Sequence, residues 1–253
     1  MARIIGVINA KGGVGKTTTA SNLGAYLSAM GKYVLLVDLD PQANATSALD
    51  VHLADDHLNL YHALVDGQEP EAIIRKSRLM GFDILPAASS LAGAGVELVG
   101  VDERESRLKK VLDKIRTNYD YIIIDSPPSL GLLTINGLVA SEGLVIPVQC
   151  EYFALEGLGQ LLQTIELVRK SLNPQLKIYG VLLTMFDRRN TLSRQVANEV
   201  EKNFPGPVFE TIIPRCVSLA EAPSYGKTVF QFDPGSKGAK AYHQLAREIL
   251  NLI

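Results

Sequence analysis

Ile4-Ile5-Gly6-Val7-Ile8-Asn9-Ala10-Lys11-Gly12-Gly13-Val14-Gly15-Lys16-Thr17-Thr18 is the stretch that decides the fold. A short apolar run leads directly into a glycine-rich loop. The loop leads into a segment with apolar residues at helical spacing: Ala20, Leu23, Leu27 and Met30. Strand, loop and helix in that order suit a nucleotide phosphate. Glycines let backbone N–H groups curl around the oxygens, and the helix N-terminus adds partial positive charge. Lys16 is placed to reach the terminal phosphates, and the Thr17 hydroxyl to hold Mg2+.

The loop departs from the general phosphate-loop pattern, which asks for Gly, four residues, then Gly-Lys-Ser/Thr. Its first position is Ala10, and a second lysine, Lys11, opens the loop. A solvated loop charge is the plain alternative for an isolated lysine. Beside this loop the second lysine reads as functional.

Outward from the loop, apolar runs alternate with amphipathic segments. The runs are Ile4–Ile8, Tyr33–Val37, Phe82–Leu85, Tyr121–Ile124, Leu144–Val148, Ile178–Leu183 and Val208–Ile213. Most lack polar alternation, as strands buried on both faces do. Helical spacing recurs at Leu108, Val111, Leu112 and Ile115, at Leu158, Leu161, Leu162, Ile165 and Val168, and at Tyr242, Leu245, Ile249 and Leu252. The expectation is an α/β fold, doubly wound, with a mostly parallel sheet flanked by helices and one domain over residues 1–253. Ligands then bind beyond the carboxyl ends of the strands. Asp38 and Asp40 stand at one such end, after Val34–Val37, and Asp125 at another, after Ile122–Ile124. Acids there bind Mg2+, directly or through water, or orient an attacking water. Asp50–Pro70 reads as short helices with a loop.

With 253 residues, 47% hydrophobic and 21% charged, the composition is that of an ordinary globular protein. A net charge of −2 argues against a uniformly basic nucleic-acid coat but leaves room for a basic patch. Two separated cysteines, Cys150 and Cys216, make neither a disulfide framework nor a zinc site, and a reducing cytoplasm is expected. No apolar run reaches membrane-spanning length, and the apolar start is too short for a signal peptide. Asn44-Ala45-Thr46 fits a glycosylation sequon by chance.

Taken together, the motifs resemble those of the Walker-type partitioning ATPases of chromosomes and plasmids, the ParA/Soj group, with their deviant Walker A loop. The resemblance runs over essentially the whole chain. It is carried by Lys11–Thr18, Asp38-Leu39-Asp40-Pro41-Gln42-Ala43-Asn44-Ala45-Thr46, Tyr121–Gly131 and Val148–Gly157. Ile213-Pro214-Arg215, Leu219–Ser224 and Asp233-Pro234 complete it. The resemblance implies hydrolysis of ATP to ADP and phosphate with Mg2+. The nucleotide would lie on Lys11, Gly12, Gly13, Val14, Gly15, Lys16, Thr17 and Thr18, with Pro214 and Arg215 near the adenine. Lys16 would contact the β- and γ-phosphates and Thr17 would ligate Mg2+. Asp38 and Asp125 would hold the metal through waters, and Asp40 would orient the attacking water. Lys11 would reach across a nucleotide-sandwich homodimer to the partner's phosphates, the equivalent of an arginine finger in trans. The family binds DNA nonspecifically as the ATP dimer, associates with the nucleoid in the cytoplasm, and is stimulated by a ParB-type centromere-binding protein.

Arg189 matches a DNA-contacting arginine of the family. A second is expected where this chain has Ser218, and Cys216 replaces an asparagine. One phosphate contact fewer per subunit lowers affinity and flattens its salt dependence. Lys227, Lys237 and Lys240 are the candidate compensators. The rival class is a membrane-surface positioning ATPase of the MinD type. It needs a basic amphipathic C-terminal helix, whereas Tyr242–Ile253 carries one arginine offset by one glutamate, so no membrane anchor is expected. A relative that positions a protein cargo shares the chemistry and differs only in partner. Electron transfer like the nitrogenase iron protein's would need cluster-binding cysteines.

Overall fold

The computed structural model describes residues 1–54, 57–151 and 154–252, the side chains of 154–156 excepted. Its strands are β1 (Arg3–Val7), β2 (Val34–Asp38), β3 (Arg75–Lys76), β4 (Phe82–Leu85), β5 (Tyr121–Asp125), β6 (Gly143–Gln149) and β7 (Lys177–Thr184). They form one sheet in the order β3-β4-β2-β5-β1-β6-β7, parallel except where β3 pairs antiparallel with β4.

Side chains alternate across each strand, and both faces are covered. On one face Ile5, Val7, Leu36, Phe82 and Ile123 pack with Leu23, Leu27, Leu245 and Ile249. On the other, Ile4, Leu35, Val37, Ile122 and Ile124 pack with Leu60, Leu64, Leu108, Leu112 and Ile115. This two-sided burial is why the strands read as unbroken apolar runs. Truncating a fully buried residue such as Ile123 to alanine costs about 2–5 kcal/mol.

Helices form where helical spacing predicts them: Lys16–Ala29, Arg107–Ile115, Ala154–Ser171 and Lys237–Leu252. The last buries Tyr242, Leu245 and Ile249 against the sheet and the first helix, while Leu252 is half exposed. A buried contact between Thr19 Oγ1 and the Tyr242 hydroxyl, at 3.1 Å, joins these two helices. Among the described residues no helix is long and apolar enough to cross a membrane. Asp50–Pro70 contains the short helix Leu60–Leu64, capped reciprocally by Asn59 and His62.

One expected strand does not form, and one strand was not expected. β3 is two charged residues long, with no apolar pattern to reveal it. Val208–Ile213 lies along the edge of β7 but is not a strand. The N–H of Phe209 donates to Val181 O and that of Ile213 to Leu183 O, so four residues of this segment span two of β7. The N–H groups of Glu210 and Thr211 donate instead to the Glu248 carboxylate, at 2.8 and 3.1 Å. That side chain fills the bulge and replaces the ladder.

Candidate nucleotide site

The carboxyl ends of β1, β2 and β5 meet in register, with Val7 beside Asp125 and Asp125 beside Asp38. The loop after β1 turns into the helix Lys16–Ala29 through Gly13 (φ 74°) and Gly15 (φ 91°), left-handed positions that favour glycine. Among the described residues, no backbone N–H from Gly12 to Thr18 donates to another backbone carbonyl. These amides, on a loop and a helix N-terminus, form a nest for an anion.

Four contacts hold the loop in this shape. The Lys11 N–H donates to Asn9 Oδ1 at 3.0 Å, and Asn9 Nδ2 donates to Pro147 O at 2.7 Å. Thr184 Oγ1, at the end of β7, donates to Val14 O at 2.8 Å. Lys16 Nζ donates to Lys11 O at 2.9 Å. Lys16 is buried, which draws its pKa below the usual lysine value, while Asp125 and Asp40 pull it back up. The Lys11 ammonium pairs with no carboxylate among the described residues.

The three aspartates are all buried but differ in environment. Asp38 Oδ2 accepts from the Thr46 N–H and hydroxyl, at 2.8 and 2.7 Å, and Oδ1 accepts from the Asp40 N–H at 3.2 Å. Burial raises its carboxyl to about 6 against the pull of those hydrogen bonds. Both Asp125 oxygens are buried without a hydrogen-bond partner, with the Thr17 hydroxyl and Lys16 nearby. Burial, then the Asp38 charge, hold this carboxyl well above the ordinary range. Asp40 faces the cavity and accepts the Gln42 N–H at 3.0 Å.

A cavity of about 580 Å³ opens over this arrangement, bringing Gly12, Gly13, Gly15–Thr18 and Asp40 together with Pro128 and Lys227. A second hollow, about 270 Å³, adjoins it at Gly15, Thr18 and Met185 and is lined by Pro214, Arg215, Cys216 and Leu219. Met185 lies between the two with a left-handed φ of 51°, a strained conformation for its residue type. A nucleotide with Mg2+ fits this site. The free amides are available to a phosphate, the orphaned Asp125 oxygens and the buried, unpartnered Ser21 Oγ lie alongside, and the second hollow has room for a base. Among the described residues no cluster of three or more His, Cys, Asp or Glu could cage a metal.

Asn9, Thr184 and Met185 were not anticipated as site residues. Thr184 alone left a trace in the sequence, a hydroxyl ending an apolar strand. Of the Val148–Gly157 motif, Tyr152 and Phe153 lie outside the described residues, as do the side chains of 154–156. The site does not reach Arg189, whose exposed guanidinium is held by Asp187 at 3.2 and 3.3 Å. Ser218 Oγ donates to Asp233 Oδ2 at 2.7 Å. Lys227 lines the nucleotide cavity, Lys240 a separate hollow beside Glu248.

The family model described as AAA domain matches residues 2–178. The chain is 56% identical over 249 residues to the sporulation initiation inhibitor protein Soj of Bacillus subtilis, covering 98% of each chain. It is 49% identical to the chromosome partitioning protein ParA of Myxococcus xanthus, over 99% of this chain and 88% of the relative. Among solved structures it is similar to the cobyrinic acid a,c-diamide synthase of Mycobacterium smegmatis with bound ADP and magnesium. That match is 40% identical, with a TM-score of 0.88 over 99% of this chain and 95% of that one. Identity is higher to the partitioning proteins than to the synthase, and the loop that opens the sequence is the one on which the site is built. The chain belongs to the Soj/ParA family of chromosome-partitioning ATPases.

Proposed function

We propose that this ATPase works as a nucleotide-gated dimer that grips DNA in its ATP form and lets go after hydrolysis. The observation that carries the reading is the single cavity in which the free amides of Gly12, Gly13 and Gly15–Thr18, the buried Lys16 and the carboxylate of Asp40 converge. The loop amides and Lys16 bind the phosphates. Thr17 and Asp125 are the groups left to hold Mg2+, Asp125 through water. Asp38 has both oxygens engaged within the chain and acts behind them. Bound Mg2+ supplies charge neutralisation at the phosphates. Asp40 orients the attacking water, and Pro214 and Arg215 flank the base.

Lys11 completes the site in trans. Its carbonyl and N–H are engaged inside the loop, which leaves the ammonium for a partner subunit's phosphates. Two sites facing one another then close only with ATP, and loss of the γ-phosphate reopens them. DNA binding falls to Arg189 with Arg188 and Arg194, and a ParB-type centromere-binding protein is the stimulating partner.

The test is a DNA titration of Asp40→Ala with ATP-Mg2+ against ADP-Mg2+. ATP-dependent, sequence-independent and salt-sensitive binding by a stable dimer is expected. Equal binding with ATP, ADP and no nucleotide would overturn the switch.

A further inference from the structure

Thr46 is 3% exposed in the short helix Asn44–Ala48, behind Asn44, Ser47 and Ala48, which line the nucleotide cavity. Its hydroxyl is fully determined. Oγ1 accepts the Ala87 N–H at 3.1 Å, and its proton goes to Asp38 Oδ2 at 2.7 Å. The Thr46 N–H reaches the same oxygen at 2.8 Å. The other oxygen of Asp38 accepts the Asp40 N–H at 3.2 Å. One carboxylate therefore clasps both ends of the segment from Asp40 to Thr46. Within it, Asp40 O accepts the Ala43 N–H at 2.9 Å, and Ala43 takes a left-handed φ of 52°. The clasp is tied to the sheet through Ala87, just beyond β4.

We propose that Thr46 is the positioning residue of the hydrolysis step: through Asp38 it sets where Asp40 presents its carboxylate. The proposal rests on the reading of Asp40 as the group that orients water. A threonine hydroxyl offers one donor and two acceptor sites, and here the donor and one acceptor are used. Valine keeps the shape and loses both. The Ala87 N–H is then left unpaired, and Asp38 loses the shorter of its two contacts to Thr46. Asp38 is then held only by the backbone N–H groups of position 46 and Asp40, and its carboxylate shifts with the Asp40 backbone that it holds. The phosphate-binding amides of Gly12–Thr18 belong to another loop and stay in place. A displacement of about 1 Å at a reacting group lowers rates by up to ~100-fold. Turnover should fall while nucleotide affinity holds.

The full chain is assayed for Mg2+-dependent ATP turnover and for affinity toward a non-hydrolysable ATP analogue. The variants are Thr46→Val, Thr46→Ser, Asp40→Ala and the Thr46→Val/Asp40→Ala double. Thr46→Val should lower kcat by about 10- to 100-fold with analogue affinity nearly unchanged. Thr46→Ser should stay close to wild type. The double variant should be no slower than Asp40→Ala alone, because a group acting through Asp40 has nothing left to position. Wild-type kcat in Thr46→Val overturns the proposal. So does analogue affinity lost in step with kcat, a Thr46→Ser as slow as Thr46→Val, or a double variant slower than Asp40→Ala. If Thr46→Val does not fold, Thr46→Ala is read in its place against the same outcomes. Wild-type turnover in Asp40→Ala would sink the reading of Asp40 itself. An inactive Asp40→Ala beside an unimpaired Thr46→Val would sink only the role of Thr46.

Discussion

The carboxyl end of the sheet and the arginine face around Arg189 both concentrate charge, and they are built in opposite ways. At the sheet end Asp38, Asp125 and Lys16 are buried, and inward-facing contacts hold the site: Thr46 on Asp38 from eight residues on, the Lys11 carbonyl on Lys16 from five back, and Thr184 on the loop from 170 residues away. On the arginine face the partners are near neighbours and exposed. Arg189 is bound by Asp187 two residues earlier, with 88% of its side chain in solvent. The buried arrangement is fixed before any ligand arrives. The exposed one is screened by salt and opens at little cost. Chemistry that needs a set geometry sits at the first, and the reading of nonspecific DNA contact sits at the second.

The sharpest break in this contrast is Lys16→Ala, which removes the buried ammonium and should abolish ATP binding by calorimetry. Retained binding would mean the loop amides suffice. Lys11→Ala should keep nucleotide binding and lose ATP-dependent dimerisation and turnover, read by light scattering and phosphate release. Wild-type behaviour in both would end the trans-lysine role.

A third outcome concerns the buried carboxyls. The carboxyl of Asp125 titrates above its unfolded value, so the stability linked to its protonated form is lost as pH rises through the folded value. Asp38, raised to about 6, adds a step in the same direction. Nucleotide-free Asp125→Asn should therefore melt higher than wild type at pH 8, with the gap closing toward pH 5. An unsatisfied buried group costs about 1–3 kcal/mol, and each kcal/mol moves the midpoint about 2–4 °C in a chain of this size. A lower melting point for Asp125→Asn at pH 8 would show that Lys16 already compensates the charge.

The smallest expected effects lie on the exposed face. Arg189→Glu should weaken DNA binding at low salt. Asp187→Asn, which frees Arg189, should strengthen it by a few-fold and steepen its salt dependence. No response to either change would remove this face from the DNA reading.

How much of this was legible follows from the same contrast. The loop, the buried strands and the three aspartates are local patterns, and the chain states them in order. Thr184 and Asn9 are not legible, because they reach the loop through contacts spanning 170 and 138 residues. Thr46 lay within a recognised motif, yet its donor-and-acceptor role depends on Ala87 coming alongside. Val208–Ile213 has the composition of a strand, but the Glu248 carboxylate, supplied by the last helix, takes two of the N–H groups a ladder would use. Asp187 stands two residues before Arg189, but spacing alone does not say that the guanidinium turns back onto it.

That bulged segment has a consequence for how copies of the chain meet. A parallel sheet with a bare margin invites a second molecule to continue it. Here one margin is covered by residues 208–213 in broken register, and the other ends in the two charged residues Arg75 and Lys76, running antiparallel. Neither offers a long straight ladder for a further strand to join. Growth sideways into a filament through the sheet is blocked at both rims. The strand tips remain open to approach, and a contact made there is governed by what fills the cavity between them.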